Sequence, residues 1–183
     1  MRLTSEKALE MLKFFKNQGK DTGGISHPIC DGDKMIKVGK KENNIDYYER
    51  RSSYGIVQNN DGKIAVVYHE NWGLIFPGGK MELGETSDET IKRESLEEIG
   101  YQVDKLKYYA TTDSYYKVDV KKKGIVYCHN VADFYIGIIK DKIQEPIELD
   151  TSIRWYFPNE LLGKMKLEFQ NIILEKLYNE KRL

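Results

Sequence analysis

Three glutamates, Glu94, Glu97 and Glu98, stand in the run "RESLEEIG", shortly after the glycine pair of "FPGGKMELGE". On a helix turning about 100° per residue they share an arc of about 100°, because positions i, i+3 and i+4 are neighbours. Ile91, Ser95 and Ile99 then form the adjacent stripe, which can face a core. A charged helix face is ordinarily solvated, with its charges paired. Asp88 with Lys92 and Glu89 with Arg93 have the favourable acid-first i, i+4 order, but Glu94 and Glu98 form a like-charge pair costing roughly 0.2–0.5 kcal/mol. Glu97 has Arg93 only in the weaker order. Mutually repelling carboxylates on a rigid element suit a hard divalent ion such as Mg²⁺ or Mn²⁺. The glycines ahead of the helix permit close approach of backbone to ligand, so Gly79 could offer a main-chain carbonyl to the same ion.

These groups need a scaffold, and the chain spells one. "YYERRSSYGIVQNNDGKIAVVYH" reads as two strands joined by an "NNDG" turn. "WGLIF" reads as a short strand, and a helix follows from about Ser87 to Ile99, stopped by Gly100. "LKYYATTDSYYKVDV" and "GIVYCHNVADFYIGIIK" read as longer strands, and "SIRWYF" as another. "KLEFQNIILEKLYNEK" closes the chain as an amphipathic helix with Leu167, Ile172, Leu174 and Leu177 on its apolar side. Strands interleaved with few helices predict an α/β sandwich around a mixed sheet. Ahead of this, residues 1–45 read as an extension: a helix over 4–18 with Ala8, Met11, Leu12 and Phe15 on one side, then an irregular segment.

The 183 residues carry 29 basic and 29 acidic side chains, so no global basic field argues for long nucleic acid as a partner. An anionic ligand must be held by local charge or metal. The two cysteines imply no disulfide framework, and the N-terminus has no long apolar run, so the expectation is a cytoplasmic protein without a membrane partner. His27 and Cys30 lie near one another, but a zinc site needs more ligands at recognisable spacing.

Gly79, Glu85, Arg93, Glu94, Ser95, Leu96, Glu97, Glu98, Ile99, Gly100 and Tyr101 together resemble the signature of the Nudix hydrolases. Every charged and glycine position of that pattern is matched. Ser95 departs from it, being small and polar where an aliphatic side chain is preferred, and Tyr101 fits the last apolar slot loosely. The flanking hairpin, the strand ending in "FPGG", the Trp-bearing strand and the final helix are also similar to the family. The resemblance implies a Nudix-type α/β/α sandwich with a mixed sheet over 46–183, plus the N-terminal helical extension.

It also implies cleavage of a pyrophosphate link in a nucleoside diphosphate derivative, with Mg²⁺ as cofactor and Mn²⁺ as substitute. Divalent ions neutralise phosphate oxygens and lower the pKa of bound water. By the resemblance Glu97 and Glu98 are direct ligands, Glu94 is a ligand or partial base, and Arg93 with Glu85 orients them. A general base would come from elsewhere. "QEPIELD" offers Glu145, Glu148 and Asp150, of which Glu148 is chosen, against the plain alternative of a solvated acidic loop. Arg51 could reach phosphate. Tyr54, Tyr115, Tyr116 and Phe134 could stack on a base, although thirteen tyrosines make strand packing the ordinary role. Trp72 and Trp155 read as core or edge fillers.

A nucleoside triphosphate such as an oxidised purine nucleotide is the first substrate expected, and an ADP-sugar of the ADP-ribose type the second. A non-catalytic nucleotide-sensing module is the competing class; it is disfavoured because the signature carboxylates are all present. A homodimer through the apolar side of 4–18 is the protein partner considered.

Overall fold

The Asn59–Gly62 turn forms as its residue types demand: Asn59 Oδ1 accepts from the amides of Asp61 and Lys63 at 3.0 and 2.9 Å. The two strands it joins, β2 (Tyr48–Gln58) and β3 (Ile64–His69), nevertheless pair only where they leave the turn, at Gln58 and Ile64. They then splay apart, because each finds a longer non-local partner. β2 runs parallel to β7 (Gly124–Lys142) through eleven residue pairs, and β3 runs antiparallel to β8 (Thr151–Tyr156). The hairpin expected from the sequence is therefore a wedge whose open side holds β5 (Gly78–Lys80), antiparallel to β2.

The computed structural model describes residues 35–69, 73–120, 124–147 and 151–183. Its remaining strands are β1 (Met35–Val38), β4 (Gly73–Ile75) and β6 (Tyr101–Val120), and its helices are α1 (Ser87–Glu98), α2 (Pro158–Leu161) and α3 (Glu168–Asn179). The strands make one mixed sheet in the order β1-β6-β7-β2-β3-β4, with β5 also on β2 and β8 also on β3. β1 lies within the stretch read as an extension, yet it is an edge strand of the sheet, parallel to β6. The helix expected over 4–18, together with His27, Cys30, Trp72, Glu148 and Asp150, lies outside the described residues. No helix among the described residues is long and apolar enough to cross a membrane.

Both sheet faces are covered, and the strands show it by period. In β3, Ile64 and Val66 face α3 while Ala65 and Val67 face α1. The α3 side holds the larger core, including Tyr54, Ile56, Phe76, Phe134, Phe169, Ile173, Leu174 and Leu177. Truncating Phe134 or Phe169 to alanine would cost about 3–5 kcal/mol. The α1 side holds Val57, Ile91, Ile99 and Val103.

The terminal helix sits at a different phase from the one expected. Leu174 and Leu177 are buried, but Phe169, Gln170 and Ile173 complete the stripe, Leu167 is the cap and Ile172 is only half-buried. Gln170 faces inward because its Oε1 accepts the Phe76 amide at 3.0 Å, an otherwise orphaned donor at the start of the glycine turn. Thus α3, from the far side of the sheet, holds the strand end from which the acidic segment is aimed.

Candidate functional site

The acidic helix begins with a capping box. Thr86 accepts the Glu89 amide, and Glu89 accepts the Thr86 amide at 2.8 Å. This removes Glu89 from the i, i+4 pair with Arg93 expected from spacing. Lys92 does meet Asp88, at 3.2 Å. Arg93 instead donates through Nε and Nη2 to the two oxygens of Glu85, at 2.6 and 3.1 Å, and its Nη2 also reaches the Lys80 carbonyl at 3.3 Å. The guanidinium beside Glu85 outweighs partial burial and holds that carboxyl down at about 2, while the same bonds raise the pKa of Arg93. Arg93 therefore fastens the start of α1 to β5.

Around this clamp stand the three carboxylates. Arg93 Nη1 is 2.9 Å from Glu94 and 3.3 Å from Glu97. Glu98 is 6% exposed and accepts the Gly78 amide at 3.0 Å. Glu94 lies against Gly79 so closely that a Cβ there would come within 2.6 Å of its Oε1. The helix and the glycine turn are thus joined twice, and the backbone of residues 78–79 lies alongside two of the acids. Glu97 is the most open of the three. Among the described residues no three ligating side chains converge as placed; Glu94 and Glu97 both turn to Arg93.

A second network supports the first. Asp133 in β7 is 3% exposed and accepts from Arg51 at 2.7 Å, Ser87 Oγ at 2.8 Å and Thr111 Oγ1 at 2.7 Å. It ties β2, the first turn of α1 and β6 together. A buried acid at a helix N-terminus also complements the helix dipole. The sequence reading missed Asp133. Its signal was a single acid in the otherwise apolar run "VADFYIGII". Arg51 is committed to this pair rather than turned toward the carboxylate cluster.

The aromatic candidates divide. Tyr54 and Phe134 are 3% and 0% exposed and stack on each other at 5.5 Å between ring centres, so packing occupies them and leaves no ring face for a base. Tyr115, in β6, stacks on His129, its opposite neighbour in β7, at 4.2 Å between ring centres. Tyr116 is half-buried and lines a cleft of about 380 Å³ between β6 and the start of α3. Trp155 meets Tyr101 edge-on and packs against the α1-side core, as an edge filler should. Glu145 pairs with Lys142.

Comparison with known proteins identifies the family. The model of the NUDIX domain matches residues 49–177. A region of 65 residues is 45% identical to the YtkD protein of Bacillus subtilis (strain 168), provisionally described as an 8-oxo-dGTP diphosphatase. The match spans 36% of this chain and 39% of that relative's length. Among solved structures, a NUDIX hydrolase from Nitrosomonas europaea aligns with a TM-score of 0.54 at 16% identity, covering 73% of this chain and 90% of that one. A MutT NUDIX hydrolase from Burkholderia pseudomallei also aligns with a TM-score of 0.54, at 19% identity over 70% and 98% of the two chains. At such identity these two speak for the fold. The family model covers most of the chain, so the chain belongs to the Nudix hydrolase family.

Proposed function

We propose that the chain is a pyrophosphohydrolase that cleaves a nucleoside diphosphate derivative, with a nucleoside triphosphate such as an oxidised purine nucleotide as its first substrate. The observation that carries this is the juxtaposition of Glu94 and Glu98 with the backbone of Gly78 and Gly79, braced by the Arg93–Glu85 clamp. The donor set suits a hard divalent ion, Mg²⁺ or Mn²⁺: three carboxylates on one helix, beside a backbone that any Cβ would obstruct. Glu94, Glu97, Glu98 and the Gly79 carbonyl would hold it. Such an ion neutralises phosphate oxygens and lowers the pKa of water. Arg93 keeps the carboxylates oriented by holding the helix to β5, and Glu85, fully ionised at neutral pH, keeps Arg93 in place. Glu148 is the general base in this reading. The name given to the Bacillus relative supports an oxidised purine triphosphate.

The test is to incubate the protein with Mg²⁺ and a panel of nucleotides and identify products by mass. Nucleoside monophosphate plus pyrophosphate is expected. AMP plus a sugar phosphate would replace this substrate with an ADP-sugar. Glu97→Gln and Glu98→Gln should each remove most turnover while leaving the thermal transition intact; full turnover in both would overturn the assignment.

A further inference from the structure

Thr111 in β6, Asp133 in β7, Ser53 in β2 and Gly79 in β5 stand opposite one another, strand to strand. They form one row across the sheet beneath α1. At one end Asp133 accepts from Ser87 Oγ, on the first residue of the helix, at 2.8 Å. At the other end Gly79 lies against Glu94. Between them Ser53 is buried, and on the same face of β2 an added Cβ at Gly55 would meet Ile91 at 2.8 Å. The helix thus rests on small residues between two fixed points.

Two periods match along this row. Ser87 and Glu94 are seven positions apart, about 10.5 Å of helix rise and close to two full turns. Asp133 and Gly79 are two strand spacings apart, about 9.5 Å. With Ser87 over Asp133, Glu94 comes down on Gly79, and Glu98, one turn further, accepts the Gly78 amide at 3.0 Å. A slip of one residue would move the helix by about 1.5 Å and turn it by about 100°. The carboxylates would then leave the glycine backbone.

A buried ion pair adds little net stability over apolar side chains of the same volume, and its best-attested use is to fix register. The bonds of Asp133 have that form. Its Oδ1 accepts from Thr111, and its Oδ2 from both Arg51 and Ser87. Only a carboxylate offers acceptors on both oxygens without a competing donor. Arg51 extends the anchorage to the glycine turn, since its carbonyl accepts the Met81 amide at 3.0 Å. Both ends of the segment from Met81 to Ser87 are therefore held on one Arg51–Asp133 pair. We propose that Asp133 is a positioning residue for the carboxylate cluster: by holding Ser87 it sets the register of α1 along the row and so places Glu94 and Glu98 at the backbone of Gly78 and Gly79. This rests on the reading of that cluster as a divalent-ion site. The Arg93–Glu85 clamp fastens the helix to β5, and Asp133 fixes it from β7, two strands away.

Mn²⁺ binding to the full chain, read from the electron paramagnetic resonance of the free ion, tests this. Asp133→Asn keeps the shape but turns an amide donor toward Arg51 or Ser87. It should weaken Mn²⁺ binding about ten- to a hundredfold and lower kcat with little change in the KM for nucleotide. Ser87→Ala removes the helix bond alone and keeps the Arg51 pair. It should weaken Mn²⁺ binding several-fold with an unchanged melting temperature. A purely structural Asp133 would lower the melting temperature and leave the folded protein's Mn²⁺ affinity at the wild-type value. Wild-type affinity in Ser87→Ala, or in a folded Asp133→Asn, overturns the proposal; if Asp133→Asn does not fold, Ser87→Ala decides. A wild type that binds no Mn²⁺ overturns the divalent-ion reading and this proposal with it. Weakened binding in the variants of a wild type that cleaves no nucleotide supports the register role and sinks hydrolysis alone.

Discussion

Arg93 grips Glu85, eight positions earlier in sequence, with two parallel N–H donors, one to each carboxylate oxygen. Paired forks of this kind are stronger and more directional than single contacts. Because the folded carboxyl titrates near 2 instead of in the usual carboxylate range, the pair is linked to pH. The shift is downward, so its contribution is complete above the unfolded pKa of about 4.5 and is lost as pH falls toward about 2. Glu85→Gln should lower turnover about ten- to a hundredfold through loosened orientation. It should also flatten the fall in melting temperature between pH 4.5 and 2 relative to wild type. Parallel melting curves across that window, with activity at neutral pH, check both.

Two glycines separate chemistry from folding. At Gly79 an added Cβ meets only the end of the Glu94 side chain. Gly79→Ala should therefore displace one carboxylate, reducing turnover at least tenfold while moving the melting temperature little. At Gly100 φ is +76° and a Cβ would meet the Gln144 carbonyl at 2.1 Å, a backbone atom. Gly100→Ala should destabilise the protein by at least about 1–2 kcal/mol. Chemical denaturation of the two variants, set beside their activities, should show opposite patterns.

The place where the acidic helix departs from its family pattern is also testable. Ser95 is 0% exposed on the packed stripe of α1, and its Oγ has no hydrogen-bond partner. A buried, unpaired hydroxyl costs about 1–3 kcal/mol. Ser95→Ala removes that cost, leaves a small void, and adds helix propensity. The expected result is a gain of about 1 kcal/mol with unchanged turnover, read by urea denaturation; a loss of stability would mean that the hydroxyl has a role in packing.

The acidic helix was legible because everything that defines it is local. Capping, i, i+4 neighbours and the Gly100 stop all lie within one short stretch. The clamp was legible only as a pair implied by family resemblance, since spacing alone gave Arg93 to Glu89. The splaying of β2 from β3 could not be read, because the partner that wins β2 lies far along the chain in β7. The same holds for the Ser52–Asn130 bond, which joins residues 78 apart. Register between parallel strands is set by both covered faces together, and no single strand's pattern states it. Tyr54 and Phe134 misled for a related reason: an aromatic in a strand buried on both faces looks the same in sequence as one that lines a cleft.

The remaining prediction concerns the base. The segment after β7 docks on the end of α1 through several bonds. The Gly100 carbonyl accepts the amides of Ile143 and Gln144, Gln144 Nε2 reaches the Leu96 carbonyl, and the Ile147 amide donates to the Glu97 carbonyl at 2.8 Å. Glu148 is the next residue in sequence after Ile147. Glu145, by contrast, is tied to Lys142. A positioned general base contributes about 10²–10⁴-fold. Glu148→Gln should therefore lower kcat at least a hundredfold with little change in KM and remove the acidic limb of the pH–rate profile, whereas Glu145→Gln should stay within about twofold of wild type. If the Glu148→Gln profile keeps its acidic limb, proton removal from the attacking water belongs to another group, and Glu94, beside Gly79 and one hydrogen bond from Arg93, becomes the side chain to substitute next.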